Sequence, residues 1–191
     1  MLKDLVMRSR SFRSFDESTH VPYHALLEWI DCARFCPSSI NLQMLKFRPV
    51  HTKEECEQVL ALTRWAGKLK ELSLPPKGHA PTAYIVVCTD NTVIDGADRF
   101  QKDVGIAAQT ILLAACEGGF GGCMIGSFSS KELGSLLSLP EGILPQLVIA
   151  LGKPDERVEL VDLPQNGDTS YYRQNGVHYA PKRSLDDLVI H

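Results

Sequence analysis

The sequence lacks an apolar run long enough to cross a membrane. The ILLAAC run at residues 111–116 is far shorter than the roughly 20 residues that a spanning helix needs. Lys3 and Asp4 interrupt the first residues, which therefore lack the apolar core of an export signal. We expect a cytoplasmic protein with no membrane partner.

The sequence also lacks an excess of basic residues. Its 20 Lys and Arg residues are outnumbered by 23 Asp and Glu residues, which gives a net charge of -3 at pH 7. This balance argues against a nucleic-acid partner, because such proteins carry a basic surface. The chain of 191 residues is 44% hydrophobic and 23% charged, which is typical of a globular protein. We therefore expect a single domain over residues 1–191.

Three common motifs are missing. No G-x-G-x-x-G follows an apolar strand, and neither G-x-x-x-x-G-K-[ST] nor G-x-S-x-G occurs. These absences exclude the usual dinucleotide site, the P-loop and the nucleophile elbow of hydrolases. The six histidines are scattered, and none has the sequence context of a catalytic triad.

Cysteine is present, but not in the spacing of a metal or redox site. There is no Cys-x-x-Cys, and Cys32 and Cys36, one helical turn apart, have no histidine pair near them. Because free cysteine is usually buried, we predict unpaired thiols in a reducing compartment. A Cys/His metal protein is the weakest alternative. The six cysteines are Cys32, Cys36, Cys56, Cys88, Cys116 and Cys123.

The pattern that is present alternates helices and apolar strands, which predicts an α+β fold. Helical periodicity or capping marks four segments, at residues 22–33, 53–72, 102–117 and 129–139. Dense or alternating apolar residues indicate four strands, at residues 44–52, 82–89, 121–128 and 144–154. From Asp155 onward the chain is polar and has too few apolar residues for a core of its own. This tail packs either on its own domain or over another surface, such as a second subunit.

The stretch RSRSFRSF at residues 8–15 is the first candidate site. Two phenylalanines three residues apart favour a helical turn anchored in the core, with polar side chains on its other side. Two guanidinium groups and a hydroxyl suit a phosphate group, through charged and neutral hydrogen bonds. A solvated basic turn is the alternative. The polar side chains are Arg10, Ser11 and Arg13.

Three further stretches carry polar or glycine residues between apolar elements. In PSSINLQ, at residues 37–43, short polar side chains either close turns or match the polar edge of a heterocyclic ring. In GGCMIGSF, at residues 121–128, glycines bring the backbone close to whatever lies beside the strand. Near the end, Lys182 and Arg183 are available to an anion or form a solvated pair.

Taken in order, these stretches resemble the nitroreductase family of small FMN-dependent flavoproteins. The resemblance covers essentially the whole chain, and only the ordered set is specific. Its parts are RSFRSF (10–15), Pro-Ser-Ser-x-Asn-x-Gln (37–43), Asp-x-Gly-x-Ala-x-Gln (103–109), GFGG (119–122), IALGKP (149–154) and PKR (181–183).

The resemblance implies a mixed central β-sheet flanked by helices, in an intertwined homodimer with two flavins at the interface. It implies that the tail, about residues 155–191, wraps the partner subunit. The implied cofactor is FMN, with NAD(P)H as the electron donor. The implied activity is ping-pong reduction of a small-molecule acceptor such as a nitroaromatic or quinone.

The resemblance also assigns roles to residues. Arg10, Ser11 and Arg13 match the grip on the FMN phosphate, with Lys182 or Arg183 adding charge. The stretch that contacts the flavin, typically from the partner subunit, is matched by Pro37, Ser38, Ser39 and Asn41, with Gln43 supporting it. The strand that passes the flavin ring is matched by Met124, Ile125 and Gly126, and the backbone amide of Gly126 faces flavin N5. No side chain is assigned an acid-base role.

The chain departs from the family pattern at several positions. Ser9 stands where many members have a basic residue, and Gly126 replaces an acidic residue of some members. Met44 and Leu45 replace a frequent Pro-Trp. Substrate-determining residues are expected near 65–79. Within this range we expect Trp65 to be a core residue rather than part of the pocket wall.

Two rival functions remain open. One is another flavin reaction on the same scaffold, such as ene reduction, dehalogenation or flavin breakdown. The other is flavin storage or sensing without turnover.

Overall fold

A five-stranded sheet with helices on both faces forms the body of the molecule. The computed structural model describes residues 1–67, 69, 71–93, 96 and 100–190. Its strands are β1 (Phe15–Asp16), β2 (Leu45–Val50), β3 (Ala83–Asp90), β4 (Gly121–Ile125) and β5 (Ile143–Pro154). Its helices are α1 (Leu2–Arg8), α2 (Tyr23–Arg34), α3 (Lys53–Leu62), α4 (Gln101–Glu117) and α5 (Ser130–Leu136).

Strand β5 lies inside the sheet and organises it. β3 pairs with β5 and β2, while β4 and the short β1 also pair with β5. β3 and β4, which α4 connects in the sequence, run in the same direction. β5 lies between them and is antiparallel to both. The α+β class is therefore confirmed, whereas the predicted mixed sheet is antiparallel in every pairing between its strands.

The two faces of β3 enter two apolar cores. Its Ala83, Ile85 and Val87 pack with residues of α2 and α4. The alternate residues, among them Val86, pack with apolar side chains of α3 and α5. Every residue of β3 is buried, because helices cover both sides of the strand. This explains the near-continuous apolar sequence of β3.

Helix α3 is shorter than the helix predicted over residues 53–72. It ends at Leu62, and Thr63 is extended and forms an antiparallel bridge with Phe128. The pairing with the chain after β4 overrides the helical pattern, which depends on local sequence alone. Residues 68 and 70 of the predicted helix lie outside the described residues.

The polar C-terminal segment forms a second sheet. Its strands, β6 (Arg157–Asp162), β7 (Tyr172–Gln174) and β8 (Val177–Lys182), lie in the order β6–β8–β7. The turn between β7 and β8 is Asn175–Gly176, with φ of 51° and 78°. Asn-Gly is the strongest short signal for a β-hairpin, so this element was visible in the sequence and was missed. Wrapping of a partner subunit by this segment stays a prediction.

The cysteines are unpaired, as predicted. Four of the six are buried. Burial raises the pKa of Cys56 and of Cys88 to about 12, which keeps both thiols protonated near neutral pH. In the described ranges, no group of three or more His, Cys, Asp or Glu side chains is arranged to hold a metal ion. The helices within those ranges also include none with the length and hydropathy needed to cross a membrane.

Candidate functional site

The N-terminal basic segment lies along β4 and is not helical. α1 ends at Arg8, and the amide of Phe12 donates to the carbonyl of Gly122 at 3.0 Å. Ser11 forms a parallel bridge with Gly122. The predicted helical turn is therefore wrong, because pairing with β4 fixes an extended backbone. Phe15 still enters the core, where it is 0% exposed.

Arg10 and Ser11 face a cavity of about 200 Å³. One terminal nitrogen of Arg10 donates to the carbonyl of Val6 at 2.5 Å, but its buried Nε finds no hydrogen-bond partner in the described part of the chain. Burial lowers the pKa of Arg10. An unpaired buried donor on a cation is costly, and an anion in this cavity would relieve that cost. The cavity is lined by Ser9, Arg10, Ser11, Gln109, Leu112 and Met124.

Arg13 faces a different, neighbouring cavity of about 230 Å³. Its Nη1 donates to the carbonyl of Ser11 at 3.2 Å, and its Cζ lies 5.1 Å from the centre of the Tyr171 ring. Met124 lines both cavities. The structure thus brings Arg10 and Ser11 together and places Arg13 on the other side of Met124.

Two acidic residues after β5 hold the basic segment in place. The Glu156 side chain is 7% exposed; one of its oxygens accepts from the amide of Arg13, and the other pairs with Arg173. Asp155 accepts from the hydroxyl of Ser14 and contacts the His79 ring. Sequence reasoning missed both residues, because 143 residues separate Arg13 from Glu156.

The predicted ring-contacting residues occupy the end of β4. Met124 is half-buried between the two cavities, whereas Ile125 is 4% exposed and packs in the core between the sheet, α3 and α5. Gly126 is exposed just beyond the strand, and a Cβ on it would meet no atom of the described residues within 4 Å. Ile125 can therefore contact a bound ring through its backbone alone, whereas Met124 can contact it through its side chain.

The stretch from Pro37 to Gln43 is anchored on α4. The amide and hydroxyl of Ser39 donate to the two oxygens of Asp103 at 2.9 and 2.8 Å, and Asp103 is 4% exposed. Ile40, Asn41 and Gln43 have positive φ of 45°, 56° and 50°. Left-handed conformations outside glycine are strained and concentrate at functional sites.

Gln43 also supports this stretch directly. Its Nε2 donates to Asn41 Oδ1 at 3.2 Å, and its amide donates to Ser38 Oγ at 3.2 Å. Residues 37–43, all of them described, line neither the Arg10 cavity nor the Arg13 cavity. A single chain therefore does not bring this stretch to the basic segment.

Lys182 and Arg183 are also apart from the other predicted residues. Both are exposed at the end of β8. Within the described part of the chain, neither pairs with a carboxylate, and neither lines the two cavities beside Met124. Their assignment to a phosphate stays a prediction.

A larger cavity, of about 310 Å³, lies at the start of β3. It is lined in part by His20, His51 and Lys53, and it contains none of the residues predicted from the sequence. Its volume alone does not make it the reaction site.

His178 is buried beside the Arg13 cavity. It is 4% exposed, and its ring centre lies 5.3 Å from that of Tyr171, with the two rings tilted by 41°. Its Nδ1 has no hydrogen-bond partner among the described residues. Burial, followed by the charges of Arg13 and Arg173, lowers the pKa of His178 to about 4. Between about pH 4 and pH 6.5 the ring therefore stays neutral in the folded protein, whereas it becomes protonated in the unfolded chain.

This lowered pKa predicts acid sensitivity. Between about pH 6.5 and pH 4 the unfolded state binds a proton that the folded state does not, so stability falls as the pH falls. The full loss expected from His178 is about 3.5 kcal/mol, at about 1.4 kcal/mol for each of the roughly 2.5 pKa units between 6.5 and about 4. We expect His178→Phe to flatten the pH dependence of urea unfolding over that range, and the exposed His24→Gln to leave it unchanged. Superimposable curves for the wild type and His178→Phe would contradict the assignment.

Comparison with known proteins adds independent findings. The model of the nitroreductase family matches residues 6–153. A Methanothermobacter thermautotrophicus protein, provisionally named NADH dehydrogenase/NAD(P)H nitroreductase, is 28% identical over 164 residues, covering 84% of this chain and 81% of that protein. A Bacillus subtilis protein, provisionally named NAD(P)H nitroreductase YodC, is 24% identical over 177 residues, covering 78% and 88%. The structure of an FMN-dependent nitroreductase from Clostridium difficile shares the fold, with a TM-score of 0.65, 23% identity, and coverage of 80% and 87%.

Proposed function

We propose a specific activity for this chain, which belongs to the nitroreductase family and is an FMN-dependent NAD(P)H oxidoreductase. It reduces nitroaromatic, quinone or related acceptors by a ping-pong mechanism. FMN, when bound, would supply the redox chemistry between NAD(P)H and the acceptor, and the residues of this chain would bind and orient it. One observation of this chain carries the proposal: Arg10 lines a polar cavity beside β4, and its buried Nε has no hydrogen-bond partner among the described residues. The residues present therefore fit an anionic cofactor.

We infer that Arg10, Ser11 and Arg13 hold the FMN phosphate. Arg10 and Ser11 contribute from one side of Met124 and Arg13 from the other. Glu156 fixes the backbone of Arg13, so the segment is ordered before the cofactor binds. Lys182 or Arg183 would add charge from the end of β8. Met124, the backbone of Ile125 and the amide of Gly126 would border the flavin ring.

We also propose a homodimer in which the stretch Pro37–Asn41 contacts the partner's flavin. Ile40 is 88% exposed and Phe35 is 71% exposed, at or next to this stretch. Large apolar side chains exposed together favour an interface. Since residues 37–43 line neither the Arg10 cavity nor the Arg13 cavity, a second copy accounts for both their strain and their exposure. Sedimentation should give twice the chain mass of 21.2 kDa; a monomer that binds FMN fully would contradict the dimer.

The six unpaired cysteines support our proposal that the protein acts in the cytoplasm, because disulfides are rare in reducing compartments.

The first experiment is an anaerobic visible spectrum of the purified protein. We expect flavin absorption that bleaches on adding NADH or NADPH and returns on adding a nitroaromatic or quinone. Flavin that binds but is not bleached by either nucleotide would favour storage or sensing. Bleaching without reoxidation by these acceptors would favour another flavin reaction. A protein that stays colourless after incubation with FMN would overturn the function.

A further inference from the structure

The stretch at residues 37–43 is held in a strained conformation. Ile40, Asn41 and Gln43 adopt left-handed φ of 45°, 56° and 50°. For a β-branched residue such as isoleucine this conformation is unfavourable, and it persists only where surrounding contacts impose it. A cavity of about 240 Å³ adjoins both ends of the stretch, so close packing alone does not impose the conformation.

Asp103 supplies contacts that fix the stretch. Its two oxygens accept from the amide and hydroxyl of Ser39 at 2.9 and 2.8 Å, directly before the first strained residue. Asp103 is 4% exposed, and within the described residues no cation pairs with it. It lies in the first turn of α4, where the helix dipole stabilises its negative charge. Hydrogen bonds to a charged acceptor are about twice as strong as neutral ones, so this pair offsets the strain.

The same contacts decide which groups of the stretch remain available. Ser39 gives both its amide proton and its hydroxyl proton to Asp103, so it has none left to donate to a cofactor. Ser38 Oγ accepts from the amide of Gln43, and Asn41 Oδ1 accepts from Gln43 Nε2. The hydroxyl proton of Ser38 and the side-chain amide protons of Asn41 have no acceptor among the described residues. The stretch therefore presents donors from Ser38 and Asn41, and Ser39 faces inward.

We propose that Asp103 is a positioning residue that holds Ser38 and Asn41 for the cofactor of the partner subunit. This proposal rests on the proposed function, because it takes FMN to bind beside β4 and the protein to be a dimer. Asp103 acts through Ser39, which is an anchor of the stretch rather than a contact to the flavin.

Helix α4 then serves both cofactor sites of the dimer. Its first turn, through Asp103, supports the site of the partner subunit. Further along the helix, Gln109 and Leu112 line the Arg10 cavity, which belongs to the site of their own chain. The loss of Asp103 should therefore be felt in one site, and the loss of Arg10 from the same chain in the other.

A mixed dimer tests this assignment. One chain carries Asp103→Ala and the other carries Arg10→Ala/Arg13→Ala, with different affinity tags so that the mixed species is purified after co-expression. If Asp103 acts on the partner's cofactor, both losses fall in one site and the other site is intact. We expect fluorescence titration to show one FMN per dimer bound with wild-type affinity. A mixed dimer without any wild-type site would overturn the proposal, because Asp103 would then act on the cofactor of its own chain.

The homodimeric variants measure the size of the effect. We expect Asp103→Ala to weaken FMN binding about ten- to thirtyfold, because hydrogen bonds to a charged group are lost. Asp103→Asn keeps an oxygen that accepts from Ser39, so its loss should be less than about threefold. The control is Glu117→Ala, which removes an exposed carboxylate at the other end of α4 and should match wild type. Wild-type affinity in folded Asp103→Ala would overturn the proposal.

The role of Ser39 is tested in a double variant. Ser39→Ala in the Asp103→Ala background should cause no further loss of FMN affinity, because the hydroxyl acts only through Asp103. A further loss would show that Ser39 contacts the cofactor itself and would overturn its role as an anchor. If Asp103→Ala does not fold, Ser39→Ala takes its place in the mixed dimer and in the exchange measurement below.

Hydrogen exchange in the apoprotein separates this proposal from the proposed function. Exchange of residues 37–43 should be faster in Asp103→Ala than in the wild type and Asp103→Asn, and equal exchange in all three would refute the anchor. A wild type that binds no FMN would refute the proposed function, while the exchange result still decides whether Asp103 holds the stretch.

Discussion

The double variant Arg10→Ala/Arg13→Ala is expected to lose FMN affinity by a factor of about 10² to 10⁴ while remaining folded. Each shielded charge-assisted hydrogen bond contributes roughly 1.5–3 kcal/mol, so two contribute about 3–6 kcal/mol. About 1.4 kcal/mol corresponds to a tenfold change in the dissociation constant. Folding should survive, because the main-chain bonds from Phe12 to Gly122 and from Arg13 to Glu156 do not need either side chain.

Fluorescence titration of the apoprotein with FMN measures this loss, and urea unfolding checks the fold. The matched control is Lys46→Ala/Lys53→Ala, which removes two positive charges at exposed positions on β2 and α3. Full FMN affinity in the folded Arg10→Ala/Arg13→Ala protein would refute the phosphate assignment. An equal loss in the lysine control would show that net charge, rather than the site, is responsible.

Gly122→Ala is expected to lower the free energy of unfolding by about 3 kcal/mol or more. A Cβ at this position would lie 2.2 Å from the carbonyl oxygen of Ala150 and 2.8 Å from Leu112 Cδ2. The clash is with the backbone of β5, so it is relieved only by separating β4 from β5. Overpacking of a tight interior usually costs about 1–3 kcal/mol, and a backbone clash lies at the upper end or above.

The same change should weaken FMN binding, since β4 also holds the basic segment through the bridge between Ser11 and Gly122. For stability in the absence of FMN, Gly126→Ala is the matched control, because its Cβ would meet no described atom within 4 Å. We expect its stability to change by less than about 0.5 kcal/mol. Urea unfolding with and without FMN measures both effects. Wild-type stability of Gly122→Ala would show that β4 and β5 are not packed as closely as described.

The sequence predicted the elements that depend on local pattern. The buried run at 82–89 and the apolar periodicity of α4 both identified their elements, because burial on both faces and helical spacing leave direct traces in sequence. Pairings between distant segments left no such trace. The extended conformation of residues 9–14 and the early end of α3 depend on partners more than 60 residues away. The interior place of β5 also depends on pairing with strands that are not its neighbours in sequence, β3 and β1.

The candidate site followed a similar division. Arg10 and Ser11 were identified from residue chemistry, and the structure places them at one cavity. Asp103, Asp155 and Glu156 were not identified as anchors, because an anchoring carboxylate is recognised by the groups that donate hydrogen bonds to it. Those donors lie more than 60 residues away in the sequence. Arg64 and Trp65 were also missed at the Arg13 cavity, since the helical pattern around them hid the early end of α3.

The antiparallel pairing of β1 with the far end of β5 has a consequence for protein synthesis. Phe15 pairs with Pro154, and the amide of Arg13 binds Glu156. A chain growing on the ribosome makes the basic segment first, yet that segment has no partner until β4 has left the exit tunnel, and its contacts with residues 153–156 form later still. The hairpin-like pairing of β2 with β3 can form much earlier, because its two strands are closer in sequence. The nascent protein should therefore gain its ability to capture FMN only late in translation, after most of the sheet has been made.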